Sequence, residues 1–228
     1  MKAAVGRLAH DFNNSLVPIL GFVTLLRDET REGTAAVEYL NSIENSARLA
    51  EKKIETIFMA TRPQRRHHPR VTDFSALVSE EFKALQGRLA ANIVPSLEVC
   101  PCTLTLDPEQ WRAVVQHLFQ NAALALPMGG AIDVRLIERT LSPAEQEEFG
   151  LGGAGVMQLT VRDDGVGMSP EVCQRACEPF FSTRNKGHGQ GLGLTIVHGV
   201  TRFQGGEVLL ESSPGNGTTV TLLLPKPV

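Results

Sequence analysis

The sequence has no apolar run long enough to cross a bilayer, and its opening MKAAVGRLAHDF reaches charged and polar residues too early for a secretory signal. It also has no excess of basic charge. The 22 lysines and arginines stand against 25 acidic residues, and the formal net charge of -3 gives no general attraction to nucleic acid. We therefore expect a soluble protein with a cytoplasmic location.

Cysteine is scarce, and its spacing excludes the common zinc patterns. Cys100 and Cys102 stand two positions apart, Cys173 and Cys177 stand four apart, and no histidine pair lies beside either group. We expect four free thiols that pack as small apolar groups in a reducing compartment.

Apolar residues recur at three- and four-residue steps in the first sixty residues and predict two helices, over 3–28 and 37–57. The polar turn DETREGT joins them, which predicts an antiparallel hairpin. A lone hairpin cannot bury its apolar stripe on both sides. We therefore expect a second copy to complete a dimeric four-helix bundle, so that the chain is a homodimer.

Helical and strand patterns are mixed from residue 71 onward, without the regular alternation of a doubly wound sheet. Helices are predicted over 74–89, 108–126, 170–177 and 192–204, and strands over 92–99, 102–106, 131–137, 156–161, 206–211 and 218–224. The fold class is therefore α+β, with helices on one face of a mixed sheet. We divide the chain into a hairpin at 1–62, an exposed linker at 63–70 and a second domain at 71–228.

The first cluster of chemically useful residues is HDFNN at 10–14. On a helix His10 and Asn14 share one face, and a neutral imidazole in solvent is a competent nucleophile. An ordinary surface histidine fits this cluster as well.

Two further clusters offer groups that suit a nucleotide and its metal ion. The amide oxygen of Asn121, on the 108–126 helix, is a hard ligand suited to Mg²⁺, although an interior asparagine with a local hydrogen bond fits too. DDGVG follows a predicted strand, so the carboxylate of Asp163 could accept a hydrogen bond from an exocyclic amine such as that of adenine. A polar turn is the alternative there.

The fourth cluster is EPFFSTR at 178–184 followed by GHGQGLGL at 187–194. Glycines before a helix can present backbone N–H groups to phosphates, and Arg184 and Lys186 could add positive charge. The sequence has neither G-x-x-x-x-G-K-S/T nor a complete G-x-G-x-x-G. A flexible linker is a poor explanation, because an aromatic pair and an apolar helix bound the stretch.

The order of these motifs resembles that of bacterial sensor histidine kinases over nearly the whole chain, and HDFNN is similar to the form common in hybrid sensor kinases. The second half resembles the Bergerat-type ATP-binding domain, an α/β sandwich shared with gyrase-like ATPases and certain chaperones. The resemblance implies a protein histidine kinase of a two-component system. Such a kinase uses ATP to phosphorylate its own histidine, passes the phosphoryl group to an aspartate of a response regulator receiver domain, and in some members removes it again.

The resemblance also implies roles for single residues. His10 would be the phosphoacceptor, Asp11 the acid that assists it, and Asn14 the residue that orients water for dephosphorylation. Asn121 would hold Mg²⁺, and Asp163 would bind the adenine amine. The implied nucleotide site comprises His117, Asn121, Asp163, Gly165, Gly167, Phe180, Phe181, Arg184, Lys186, Gly189, Gly191, Leu192, Gly193 and Thr218.

The sequence departs from the family at two places. Ala123 and Leu124 stand where relatives often have charged or polar residues, which leaves open a histidine phosphotransferase whose ATP-binding domain no longer works. His117 stands where many relatives have asparagine and the hydrolysing ones have a catalytic glutamate. That difference speaks against an ATPase or chaperone, since no obvious base activates water. A scaffold that only dimerises and binds a partner is a further alternative.

Overall fold

The structure, a computed structural model, describes residues 16–27, 30, 35–61, 68–152, 155–183 and 191–226. The chain divides into two compact units, Met1–Arg62 and Pro63–Val228, and each is described by itself. Among the described residues, no helix combines the length and the apolar character needed to span a membrane.

The first unit contains both predicted helices, α1 over residues 16–27 and α2 over Ala35–Thr61. The guanidinium of Arg27 donates to Asn41 Oδ1 at 2.8 Å and to Glu44 Oε2 at 2.6 Å, which joins α1 to α2. Val23, Leu40 and Ala47 are buried. Large apolar side chains nevertheless remain exposed on both helices: Val17, Ile19, Phe22, Leu25, Leu26, Tyr39 and Ile43.

The second unit is built on a five-stranded mixed sheet. Its strands are β2 (Ile93–Val99), β4 (Gly130–Thr140), β5 (Gly155–Asp163), β6 (Glu207–Ser212) and β7 (Thr218–Pro225). They lie in the order β2-β4-β5-β7-β6, with β2 parallel to β4 and the other neighbours antiparallel. Two short strands, β1 (Arg70–Asp73) and β3 (Thr103–Leu106), form a separate antiparallel pair.

The helices of this unit are α3 (Phe74–Gln86), α4 (Pro108–Leu124), α5 (Pro143–Phe149), α6 (Pro170–Arg175) and α7 (Gly193–Phe203). Helix α4 packs against α3, α7 and β5. Its first turn is stabilised by Asp107, whose carboxylate accepts the N–H groups of Glu109 and Gln110. The α+β architecture with a mixed sheet is confirmed.

The alternation in β4 shows which face of the sheet is covered. Ile132, Val134 and Leu136 are fully buried, whereas Asp133 and Arg135 between them reach solvent. On β5 the same inward alternation continues through Leu159 and Val161 to Asp163, which carries the carboxylate into the covered layer. The end of β5 is therefore the place where a polar group meets the core.

The predicted linker at 63–70 extends too far at its C-terminal end. Arg70 belongs to β1 and pairs with Leu106, and the N–H of His68 donates to Asp107 Oδ2 at 2.7 Å. The stretch carries no apolar side chain, but strand pairing uses backbone groups that every residue except proline can supply in full. Residues 62–67 lie outside the described residues.

Helix α5 was not predicted. Ser142 and Glu145 form a capping box, in which each side chain accepts the backbone N–H of the other residue. A small second core forms among Leu141, Leu151, Val156 and Leu223, with Phe149 packed against it. The helix is stabilised by its cap and by the residues at its ends. Its sequence therefore shows no apolar periodicity from which a helix could be predicted.

Candidate functional site

Asp163 is the last residue of β5 and lies between Ile132 on β4 and Thr218 on β7. Only 5% of it is exposed to solvent. Its Oδ1 accepts the N–H of Gly165 at 3.0 Å, which fixes the orientation of the carboxylate. A buried carboxylate held in this way at the end of a strand can recognise a hydrogen-bond donor on a ligand.

The glycines after Asp163 allow backbone segments to approach closely. A Cβ on Gly165 would lie 2.2 Å from the carbonyl oxygen of Ala125, and the N–H of Val166 donates to that same oxygen at 3.0 Å. Gly167 adopts φ 65°, and a Cβ there would lie 2.0 Å from the carbonyl oxygen of Ser213. Only glycine fits both places, so the loop can run between the end of α4 and the β6–β7 turn.

Ser212 is a candidate site residue that the sequence analysis missed, because it joins predicted and neighbouring segments by hydrogen bonds. Its hydroxyl donates to the carbonyl oxygen of Gly217 at 2.8 Å and accepts the N–H of Met168 at 2.9 Å. The Thr218 hydroxyl lies 2.9 Å from Ser212 Oγ and must donate to it, because the single hydrogen of Ser212 is already used. The only signal for it was its position directly after the predicted strand 206–211.

Asp164 was also missed, although it stands next to a predicted site residue. Its Oδ1 accepts the N–H of Ala131 at 2.7 Å, and a Cβ on Gly130 would lie 2.3 Å from that oxygen. The carboxylate of Asp164 therefore joins the start of β4 to the end of β5. The repeated aspartate in DDG was the available signal, and the two carboxylates face different partners.

His117 and Asn121 lie one turn apart on α4 and face the first residue of α7. A Cβ added to Gly193 would lie 3.5 Å from Asn121 Nδ2 and 3.5 Å from His117 Nδ1. The two polar groups therefore border the same small space beside Gly193, and a Cβ there would meet both of them at ordinary contact distance. Burial lowers the pKa of the His117 imidazole, so the ring is neutral at neutral pH and keeps a lone pair for a ligand.

Helix α4 connects this space to the loop after β5. The N–H of Ala125 donates to the carbonyl oxygen of Asn121 at 3.1 Å, and the carbonyl oxygen of Ala125 contacts the loop at Gly165. Asn121 thus lies one helical turn before the residue that touches the loop after Asp163. The end of α4 therefore links the residue that carries the predicted metal-binding amide to the loop that follows the predicted adenine-binding carboxylate.

Phe180 and Gly191, one from the aromatic pair and one from the glycine-rich stretch, contact each other through the backbone. The N–H of Phe180 donates to the carbonyl oxygen of Gly191 at 2.8 Å, and both residues adopt a left-handed φ, 67° and 65°. A Cβ on Gly191 would lie 2.5 Å from the carbonyl carbon of Phe180, so a side chain is excluded. The guanidinium of Arg175 lies 4.2 Å above the ring of Phe181, and Leu192 is buried at the start of α7.

Six of the predicted site residues lie outside the described residues. These are His10, Asp11, Asn14, Arg184, Lys186 and Gly189. The other predicted residues form three groups: Asp163, Gly165, Gly167 and Thr218 at the sheet edge; His117, Asn121 and Gly193 between α4 and α7; and Phe180, Phe181, Gly191 and Leu192 beside the glycine-rich stretch. All four cysteines are free thiols, as predicted, and burial raises the pKa of Cys102 to about 11.

Comparison with known proteins places this geometry in a family. Residues 106–228 match the family described as histidine kinase-, DNA gyrase B-, and HSP90-like ATPase. The chain is 29% identical over 227 residues to the sensor kinase CckA of Brucella abortus (strain 2308), which covers 97% of this chain and 24% of that protein. It is 27% identical over 224 residues to the sensor histidine kinase ZraS of Klebsiella oxytoca, covering 96% of this chain and 44% of that protein.

Solved structures agree with these relatives. A mycobacterial sensor histidine kinase, MprB, superposes with a TM-score of 0.56 at 26% identity, over 71% of this chain and 99% of that one. Full-length ShkA in complex with AMPPNP has a TM-score of 0.70 at 20% identity, over 99% of this chain and 46% of that one, a likeness of fold. The chain spans less than half the length of the curated relatives named above. It belongs to the histidine kinase-, DNA gyrase B- and HSP90-like ATPase family and carries the catalytic core of a sensor histidine kinase.

Proposed function

We propose that this chain transfers the γ-phosphoryl group of ATP to His10 and then to an aspartate of a response regulator receiver domain. The observation that supports this most directly is the buried carboxylate of Asp163, held by Gly165 and adjoining the end of α4. In this proposal Asp163 accepts a hydrogen bond from the adenine amine. Gly165 and Gly167 let the base lie close to the backbone, and Thr218 borders it from β7.

Mg²⁺ would be held by Asn121 and the phosphate oxygens, in the space that Gly193 leaves beside His117. A half-turn of the Asn121 amide about its last bond presents its oxygen to that space. The ion would offset negative charge on the phosphates during transfer. The residues present fit this function, because an amide and a neutral imidazole both lie beside Gly193.

The transfer itself needs His10 as nucleophile. A ring nitrogen of His10 attacks the γ-phosphorus, the bond from that phosphorus to the bridging oxygen breaks, and ADP leaves. Asp11 assists the imidazole, and Arg184 and Lys186 supply positive charge near the terminal phosphate. The phosphoryl group then passes to a receiver aspartate, and Asn14 orients water when the same surface removes it. A linker after residue 62 would allow the second unit to reach the histidine.

A homodimer formed through the first unit is part of the proposal. Among the side chains whose burial the structure describes, helices α1 and α2 leave a row of large apolar groups exposed, including Phe22 at 65% and Leu25 at 62%. Apolar area of this kind is usually covered by another chain. A second copy of the hairpin would cover it in a four-helix bundle.

Labelling with γ-³²P-ATP tests the histidine assignment. The wild-type chain should take up acid-labile label, His10→Ala should take up none, and the matched control His68→Ala, at an exposed histidine, should be labelled as the wild type is. Acid-labile label that persists in His10→Ala would contradict the assignment. Asp163→Asn should abolish nucleotide binding, and unchanged affinity would contradict the adenine role.

A histidine phosphotransferase with a non-functional ATP-binding domain is the second candidate. Ala123 and Leu124 favour it, because neither side chain can contact phosphate by a hydrogen bond and Leu124 is exposed. Calorimetric titration with ATP and Mg²⁺ separates the two candidates. Measurable binding supports the kinase, whereas absence of binding, together with label accepted from a phosphorylated receiver domain, supports the phosphotransferase.

A further inference from the structure

We propose that Ser212 is a positioning residue that makes the Thr218 hydroxyl an acceptor towards the ligand. It thereby helps the site to select adenine over a purine that carries oxygen in place of the 6-amino group. This inference rests on the proposed function, since it requires a nucleotide beside Asp163. It goes further because it assigns part of the base selectivity to a residue that need not touch the base.

The direction of each hydrogen bond around Ser212 is determined by its partners. Ser212 Oγ lies 2.8 Å from the carbonyl oxygen of Gly217, which has no hydrogen, so the serine must donate. The N–H of Met168 donates to Ser212 Oγ at 2.9 Å. Because the serine hydrogen is used, the Thr218 hydroxyl, 2.9 Å away, must donate to Ser212 Oγ. The serine hydroxyl then donates once and accepts twice, which is all that a hydroxyl can do.

Strand pairing places these hydroxyls in one row with the carboxylate of Asp163. Ser212 is paired with Thr218 between β6 and β7, and Thr218 is paired with Asp163 between β7 and β5. Residues directly opposite each other share one face of the sheet, with roughly 5 Å between their Cβ atoms. Since β7 lies between β5 and β6, the hydrogen of Thr218 points towards Ser212 and away from Asp163. The lone pairs of Thr218 Oγ1 remain on the side of the carboxylate.

The turn between β6 and β7 is held in place by its backbone. Gly217 adopts φ 78°, and a Cβ there would lie 1.9 Å from the carbonyl oxygen of the last residue of β5. The N–H of Gly215 donates to the carbonyl oxygen of Val166 at 2.9 Å. Neither contact uses the side chain of Ser212. Removal of the serine hydroxyl should therefore release the hydrogen of Thr218 more than it moves the turn.

Two acceptors side by side suit the amino group of adenine and oppose a carbonyl oxygen. The 6-amino group has two hydrogens, and in this assignment Asp163 accepts one and Thr218 Oγ1 accepts the other. Hypoxanthine carries oxygen at that place, and its lone pairs would face those of both residues. Without Ser212 the threonine hydroxyl could turn and donate to that oxygen. A hydroxyl with a fixed direction therefore discriminates more strongly than one that is able to turn.

Calorimetric titration of the full chain with ADP and with inosine diphosphate, both in Mg²⁺, tests this assignment. ADP should bind the wild type more tightly, and Ser212→Ala should lower the ratio of the two affinities by at least about fivefold. Ser212→Cys, which is close to serine in size and has a weakly hydrogen-bonding thiol, should lower the ratio as well. The matched control Ser213→Ala, at an exposed residue of the same turn, should keep the wild-type ratio.

Removal of the Thr218 hydroxyl separates selectivity from anchoring of the loop. In a Thr218→Val chain, the addition of Ser212→Ala should leave the ratio unchanged, because no hydroxyl remains that can turn. An equal loss of both affinities in Ser212→Ala would mean that the serine only anchors the loop at Met168. That result, an unchanged ratio in Ser212→Ala, or a further fall in the double variant would overturn the inference and leave the proposed function intact. Failure of the wild type to bind ADP would overturn the proposed function as well.

Discussion

Two glycines of this protein have the same backbone conformation but different surroundings. Gly167 and Gly150 adopt φ 65° and 66°. A Cβ on Gly167 would lie 2.0 Å from the Ser213 carbonyl oxygen, while nothing lies within 4 Å of one on Gly150. An alanine at either position would carry the same left-handed strain, and the two positions differ in what would surround its Cβ.

Alanine substitutions at these two positions separate the cost of a left-handed alanine from the cost of a close contact with its Cβ. Gly150→Ala should lower the free energy of unfolding by about 1–2 kcal/mol, the cost of a left-handed alanine. Gly167→Ala should lower it further and weaken nucleotide binding, because the loop must move away from Ser213. Urea unfolding and AMPPNP titration measure the two effects. Equal losses at the two positions would mean that the close contact has no energetic role.

The partly buried imidazole of His117 also predicts a dependence of stability on pH. Burial lowers its pKa in the folded chain, so the unfolded chain, with a pKa near 6.5, binds more protons in mildly acidic solution. Without nucleotide or divalent ions, the free energy of unfolding should therefore fall as pH drops from about 7.5 through 6.5, until the folded imidazole is also protonated. His117→Asn should reduce this slope. A slope that His117→Asn leaves unchanged would argue against a neutral ring at position 117.

At the scale of elements, α5 is stabilised by its cap. Ser142→Ala removes the hydroxyl that accepts the N–H of Glu145 and should lower the free energy of unfolding by about 1 kcal/mol. Ser79→Ala is the matched control, because that hydroxyl donates to the Ser75 carbonyl inside α3, and alanine there should be neutral or slightly stabilising. Chemical denaturation measures both. Equal losses would mean that the cap does not stabilise α5.

Helices α3 and α4 are joined through the carboxylate of Glu81, of which only 7% is exposed. It accepts hydrogen bonds from Arg112 and from Gln116 Nε2, the latter at 2.8 Å. Arg112→Ala removes the charged partner of a buried carboxylate and should lower the free energy of unfolding by about 2 kcal/mol, less than for a fully buried pair because Arg112 itself is 42% exposed.

The control for Arg112→Ala is an arginine whose ion pairs are open to solvent. Arg135 pairs with Asp133 at 3.0 Å and with Glu98 at 3.7 Å, and its own side chain is 56% exposed. Arg135→Ala should cost no more than about 1 kcal/mol, because water screens the pair. Thermal unfolding of both variants checks the difference, and an equal cost would contradict the role given to burial.

At the scale of the whole molecule, dimerisation and nucleotide binding should be separable. Phe22→Asp places a charge on the exposed apolar row of the first unit and should convert the proposed dimer to a monomer, with nucleotide affinity unchanged. Val71→Asp, at a residue 76% exposed in the second unit, should leave the mass unchanged. Light scattering measures the mass. A wild-type monomer, or a dimer that survives Phe22→Asp, would contradict the proposed bundle.

Local patterns predicted most of the elements. The helix over 108–126 is observed as Pro108–Leu124, and the alternation at 131–137 lies within Gly130–Thr140. These predictions succeeded because an apolar face repeats with the period of its own element. Helix α5 and strand β1 were not predicted, because a capping box stabilises the helix and backbone pairing with β3 forms the strand. Neither a helix cap nor backbone pairing produces a periodic apolar pattern in the sequence.

The sequence by itself predicted which residues carry the chemistry of this protein: the amide of Asn121, the carboxylate of Asp163 and the glycines that follow Asp163. Only the tertiary structure decided what surrounds these groups. Ser212 meets Met168 across 44 positions of sequence, and Gly193 opens the space beside His117. The physical reason is that side-chain chemistry and period are local properties. Contacts between distant segments depend on strand order and helix packing, which the whole chain determines together.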